Sequence, residues 1–207
     1  MKQNVFIADQ DGVKGKINLL DYTHIRGYHA CRPVVKSISE YMENGLSPFT
    51  GPELQQGAAD LFERTFDETA MAAKAQMSSE RPPRVFFQLF KSLLLKHAGQ
   101  YLCYGSEYLL CIAARLDIAV RGHYHNILLN TGIPTIFVCD VPLEYLSNSF
   151  MDDFHENFNA DTNDCSFSLK RNLPGKWIVD HEHPSKIFDP MRGCDYFNEQ
   201  TSCPACK

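Results

Sequence analysis

From Ile133 to Leu143 the chain reads Ile-Pro-Thr-Ile-Phe-Val-Cys-Asp-Val-Pro-Leu. A strand with one wet face alternates apolar and polar residues, whereas a nearly unbroken apolar run belongs to a strand covered on both faces. This run is the strongest strand in the sequence. The remaining segments read as strands and helices gathered around a central sheet, which is the α+β class.

A second strand is expected at Ile25-Arg26-Gly27-Tyr28-His29-Ala30-Cys31-Arg32-Pro33, where proline stops the ladder. Ser37 to Leu46 follows as a short helix closed by a glycine cap. Residues 1 to 20 carry two short apolar runs around an Asp11-Gly12 turn, a hairpin or a loose arm. Apolar residues recur at helical spacing from Glu53 to Met77, predicting one long amphipathic element. Arg81-Pro82-Pro83 ends it, and Val85 to His97 reads as a second, more buried helix. Gln100 to Tyr104 is a strand candidate leaving at Gly105. Ser106 then caps a helix over Glu107 to Leu116, and residues 119 to 131 form another. Met151 to Asp164, rich in Asp, Asn and Phe, is taken as a surface loop and a plausible lid. Phe167 to Leu169 and Trp177 to Val179 are expected to pair around the turn Asn172-Leu173-Pro174-Gly175. Residues 190 to 207 form a cysteine-containing tail.

A chain of 207 residues without a Gly/Ser- or Pro-rich linker predicts a single domain over 1 to 207. Its net charge of -5 argues against a broadly basic nucleic-acid surface. No apolar run reaches the length that crosses a bilayer and no signal-peptide pattern opens the chain, so a cytoplasmic protein with no membrane partner is expected. Eight cysteines in that setting read as thiols rather than a disulfide framework. Cys103, Cys111 and Cys139 sit in apolar runs, as inert core thiols do.

Three pieces, in order, resemble the ADP-ribosyltransferase superfamily, the histidine-type fold of poly(ADP-ribose) polymerases and diphtheria-type toxins. Tyr28-His29-Ala30-Cys31-Arg32 is similar to its first strand, Tyr101-Leu102-Cys103-Tyr104-Gly105-Ser106-Glu107-Tyr108 to its strand-to-helix passage, and Pro134 to Leu143 to a core strand. The resemblance implies a central split β-sheet with flanking helices and NAD as substrate. It also implies a cofactor set of His29 for the adenosine ribose, main chain near Ala30 for the nicotinamide amide, and Arg32 for the pyrophosphate. Tyr108 would stack on the nicotinamide, with Ser106 beside it and Tyr104 the second choice. The family places a glutamate on a late strand, but Gly175 to Val179 has Lys176 and Trp177 there. Glu182 and Glu107 are the candidate acids, with Asp180 nearby. Together with Tyr108, the two glutamates make up the catalytic set.

The set is chemically coherent. Cleavage of the nicotinamide ribosyl bond passes through an oxocarbenium-like state, which needs a pinned cofactor, a stacked leaving ring and negative charge by the ribose. The expected activity is mono-ADP-ribosyl transfer to a macromolecular acceptor, protein or nucleic acid, as in a bacterial toxin, effector or defence enzyme that would meet an antitoxin or immunity protein. The alternatives are an RNA 2'-phosphotransferase and a non-enzymatic interaction module on the same fold, stapled by zinc. Each residue also has a plain reading: a core histidine, a surface arginine, tyrosines capping the core, a glutamate answering the helix dipole. Cys194, Cys203 and Cys206 form C-x8-C-x2-C, which His181 or His183 would complete to four zinc ligands. One tight pair with an outlying cysteine is a weak signal beside a frayed tail, so no metal ligand is assigned.

Overall fold

In the computed structural model the apolar run is a strand buried at every position from Thr135 to Pro142, with neighbours on both sides. Residues 4–11, 17–76, 83–120, 122–158 and 166–206 are described. The Asp11-Gly12 turn, the Arg81-Pro82 stop and positions 159–164 of the expected loop lie partly or wholly outside them. The strands are β1 (Val5–Phe6), β2 (His24–Cys31), β3 (Val85–Gln88), β4 (Thr135–Pro142), β5 (Ser166–Leu169), β6 (Ile178–Glu182), β7 (Lys186–Asp189) and β8 (Cys194–Phe197). The helices are α1 (Ala8–Asp11), α2 (Ser37–Asn44), α3 (Gly51–Phe62), α4 (Phe66–Gln76), α5 (Lys91–Lys96), α6 (Gln100–Tyr104), α7 (Glu107–Val120), α8 (His123–Asn130) and α9 (Asn148–Asn157). The architecture is mixed, a mainly antiparallel sheet with helices, as the α+β class requires.

Sheet order is β5-β3-β2-β4-β6, with β1 added in parallel to the start of β2. β2 and β4 pair over their whole length, from His24 opposite Pro142 to Cys31 opposite Thr135. Alternation sends successive residues to opposite faces. One face, carrying Ile25, Phe87, Phe137, Cys139 and Val141, is covered by β1, α2 and α9. The other, with Tyr28, Ile136 and Val138, is covered by α3 through α8 and by Ile187 of β7. Two cores on one sheet explain why β4 shows no polar alternation.

Several expectations change. Val85 to His97 is not one helix. Val85 and Phe87 are buried and Phe86 is 61% exposed, a period of two that fits β3 between β2 and β5, and the helix begins only at Lys91. Gln100 to Tyr104 is helix α6 rather than a strand, with Leu102, Cys103 and Tyr104 all turned into the helical core. The long element over Glu53 to Met77 is two helices. Thr50 and Glu53 form a reciprocal capping box at α3, Glu63 turns left-handed at φ 51°, and Thr65 with Glu68 repeats the box before α4. The two helices expected over Glu107 to Leu116 and 119 to 131 are present as α7 and α8, but the first runs on to Val120 and the break falls at Gly122, with φ 80°. The Met151 to Asp164 loop is helical as far as Asn157, capped by the Ser147 hydroxyl. Phe150, Phe154 and Phe158, four residues apart, carry it onto Phe6, Phe90 and Phe167. β5 and β6 do not pair with each other but lie on opposite edges of the sheet. Residues 5 and 6 join the sheet in parallel, so the N-terminal segment is not a hairpin, and the tail contributes β8, paired with β7.

Candidate functional site

β2 distributes its candidate residues to both faces. Ala30 and Arg32 fall on the helical side. His29 falls on the other, beside Phe87 and across from Phe137, with Nδ1 2.9 Å from the Phe86 carbonyl. A carbonyl only accepts, so Nδ1 carries the hydrogen. Burial lowers the His29 pKa, with the Phe86 contact opposing. The Arg32 fork is already engaged. Nε donates to Thr131 O at 2.9 Å, Nη1 to Leu102 O at 3.2 Å, and Nη2 to Leu129 O and to the Tyr196 hydroxyl.

The turn between α6 and α7 holds the second group. Tyr104 is buried and donates to Asp189 Oδ2 at 2.6 Å, and burial drives its phenol well above the usual range, with Asp189 adding to the rise. Ser106 Oγ accepts from Leu109 N at 3.2 Å and caps α7. Glu107 is exposed and accepts from the Tyr101 hydroxyl at 2.6 Å. Tyr108 lies partly buried against the helical core. Tyr104→Phe is therefore expected to cost about 1–3 kcal/mol, because it removes the donor from a buried carboxylate. Urea unfolding measures this, and an unchanged midpoint would mean that the bond carries no stability.

Of the two candidate glutamates, Glu182 stands on the sheet. Ala30 pairs with Ile136, and Ile136 with Glu182, in one cross-strand row on the helical side. Two strand spacings put Glu182 about 10 Å from Ala30. Lys91, the first residue of α5, holds its carboxylate at 2.8 and 3.0 Å. The same face carries polar groups to which the motifs gave no role. Arg26 and Asp140 pair bidentately across the strands at 2.8 and 2.9 Å, and burial, helped by Asp9, pushes the Tyr28 phenol up to about 12. Ala30, Arg32, Tyr104, Tyr108 and Glu182 thus share the helical side of the sheet, and His29 is excluded from it.

On the opposite face the next row is His29, Phe137 and His181. His181 near the end of β6 and His183 just past it flank Glu182, and the chain brings Cys203 back against the core on this side, with Cys206 beside it. Asn198 makes the return: its backbone N–H donates to Ser185 O at 2.9 Å and its amide to Pro184 O at 3.2 Å. One ligand atom from each of His181, His183, Cys203 and Cys206 lies within 4.8 Å of the others. Cys194 is not among them, since it sits exposed at the start of β8. Spacing alone pointed to the three cysteines with one histidine. The signal for the actual group was His181-x-His183, a second tight pair whose residues share a strand face.

Fold and site together define a mixed α/β protein with an antiparallel sheet, a Lys91–Glu182 pair on its helical face and a His2Cys2 cluster on the other. No family model, curated protein or solved structure matches the chain. Among the described residues no helix is long and apolar enough to cross a membrane.

Proposed function

We propose that the chain is an NAD-dependent mono-ADP-ribosyltransferase acting on a macromolecular acceptor, protein or nucleic acid, on an ADP-ribosyltransferase-like fold. The observation that carries this reading is the row Ala30, Ile136, Glu182. In this reading Glu182, two strands from Ala30 and on the same face, would be the acid that the family pattern puts on a late strand. The first two motifs also meet in space, since Arg32 bonds to Leu102 O and a Cβ built on Gly105 would lie 3.7 Å from Arg32 Cβ. Glu182 would then place negative charge beside the oxocarbenium-like ribose, with Lys91 orienting it. Tyr108, the less buried of the two tyrosines, is the stacking candidate. Arg32 drops out of the cofactor set in this reading, because its donors already serve carbonyls.

A second reading, an interaction module without transferase activity, is favoured by the position of His29 on the far face. Incubation with NAD labelled in the ADP-ribose part, with cell extract as the source of acceptor, separates the two. The transferase labels a macromolecule and releases nicotinamide, and Glu182→Gln lowers both by about 100-fold or more. Wild-type protein that neither transfers label nor releases nicotinamide would leave the interaction module.

A further inference from the structure

The His181, His183, Cys203 and Cys206 cluster stands apart from the transferase reading, on the other face of the sheet. We propose that these four side chains hold one zinc ion in a closed tetrahedral centre that clips the C-terminal segment onto the edge strand β6. Zinc–sulfur bonds of about 2.3 Å and zinc–nitrogen bonds of about 2.0–2.1 Å at tetrahedral angles imply about 3.8 Å between two sulfurs and about 3.5 Å between a nitrogen and a sulfur. The two sulfurs are 3.7 Å apart, and His181 Nε2 lies 3.4 Å from Cys203 Sγ and 3.5 Å from Cys206 Sγ. Those are the edges of a coordination tetrahedron, and 3.7 Å is far beyond the roughly 2.05 Å of a disulfide.

The fourth ligand is set by its surroundings. His183 is buried, with Nδ1 3.1 Å from Pro134 O and 3.2 Å from Thr135 Oγ1. The carbonyl fixes the hydrogen on Nδ1 and leaves the lone pair on Nε2, and that atom is buried without a hydrogen-bond partner. An orphaned nitrogen inside the protein is costly unless something binds it. A metal would, and a ligating histidine anchored to a backbone carbonyl through its other nitrogen is the usual second-shell arrangement. On the cysteine side, Cys203 N donates to Cys206 Sγ at 3.3 Å and Cys206 N to Cys203 O at 3.0 Å, the tight turn that presents both sulfurs of a C-x2-C to one point.

Two thiolates and two imidazoles in tetrahedral array select zinc over metals that prefer oxygen ligands or square-planar sites. With four protein ligands no position stays open for water, so the centre is structural rather than catalytic. It also ties the C-terminal segment to β6, which among the described residues is the last strand of the main sheet.

The full chain, purified from zinc-supplemented culture and filtered through a weak chelator, is expected to hold about one zinc per chain. Cys194→Ser should keep it, and the Cys203→Ser/Cys206→Ser double variant should lose at least about tenfold. To separate loss of metal from loss of fold in that variant, the wild-type chain stripped of metal is also titrated with Co2+. The strong visible d–d absorption of a tetrahedral centre with thiolate-to-cobalt charge transfer, saturating at about one equivalent, is the expected spectrum. Zinc-free wild type, zinc retained by the double variant, or a weak octahedral cobalt spectrum would each overturn the proposal.

Discussion

Arg32→Leu is expected to destabilise the protein by about 3–5 kcal/mol while leaving its charged surface nearly as it was. The guanidinium sits where the end of β2 meets two helices, and it donates to carbonyls in the closing turns of α6 and α8 and to Thr131 just beyond α8. Helix C-termini carry unsatisfied carbonyls and partial negative charge, so a cation there is favoured twice. Tyr196 of β8 adds its hydroxyl at 3.1 Å and its ring at 5.4 Å from the guanidinium carbon. Leucine fills part of the volume but leaves the Leu102 and Leu129 carbonyls, both on buried residues, without this donor. Arg32→Lys keeps the charge but loses the planar fork, and should recover only a minor part of the loss. Urea unfolding of both variants is the measurement. A stability change below about 1 kcal/mol would remove the architectural role and return Arg32 to the cofactor set, where weaker NAD binding in an intact fold is the signature.

The same residue illustrates what the sequence could and could not say. Local spacing marked Arg32 as a polar residue delivered to a strand end, which it is; its partners lie 70 to 164 residues away and leave no local trace. β4 and α2 were legible because burial on both faces and a glycine cap are written locally. Val85 to His97 was misread because a short apolar run has no period of its own, and β2 and β5 on either side decide that Val85 to Gln88 extends. The breaks at Glu63 and before Phe66 were legible in principle: Thr50-x-x-Glu53 and Thr65-x-x-Glu68 are both capping boxes, and the second announces a new helix start. The His2Cys2 cluster needed one more inference. A strand puts residues two apart on one face, so His181-x-His183 is as tight a pair as Cys203-x-x-Cys206. What spacing could not supply is the reversal through β7 and β8 that joins them.

Gly45→Ala is expected to cost about 3–5 kcal/mol, combining a backbone angle that alanine resists with a collision that no rotamer relieves. Gly45 ends α2 at φ 94° and ψ -168°, a region essentially reserved for glycine. A Cβ there would meet Leu173 O at 1.9 Å and Gly175 N at 2.8 Å, both backbone atoms. The approach is mutual, since a Cβ on Gly175 would meet Glu43 O at 2.3 Å and Met42 O at 2.4 Å. Two hydrogen bonds hold the crossing closed, Leu46 N to Leu173 O at 2.9 Å and Leu173 N to Leu46 O at 2.8 Å. Separating these backbones would move the turn that launches β6, the strand that bears His181 and Glu182 and leads into His183. Gly57→Ala is the control. It lies inside α3 with nothing within 4 Å of its Cβ, and there alanine should stabilise by about 0.5–1 kcal/mol through its better helix propensity. Thermal and urea unfolding should therefore move in opposite directions for the two substitutions. Equal shifts of one sign would mean that the contact between α2 and the Leu173–Gly175 turn does not require glycine.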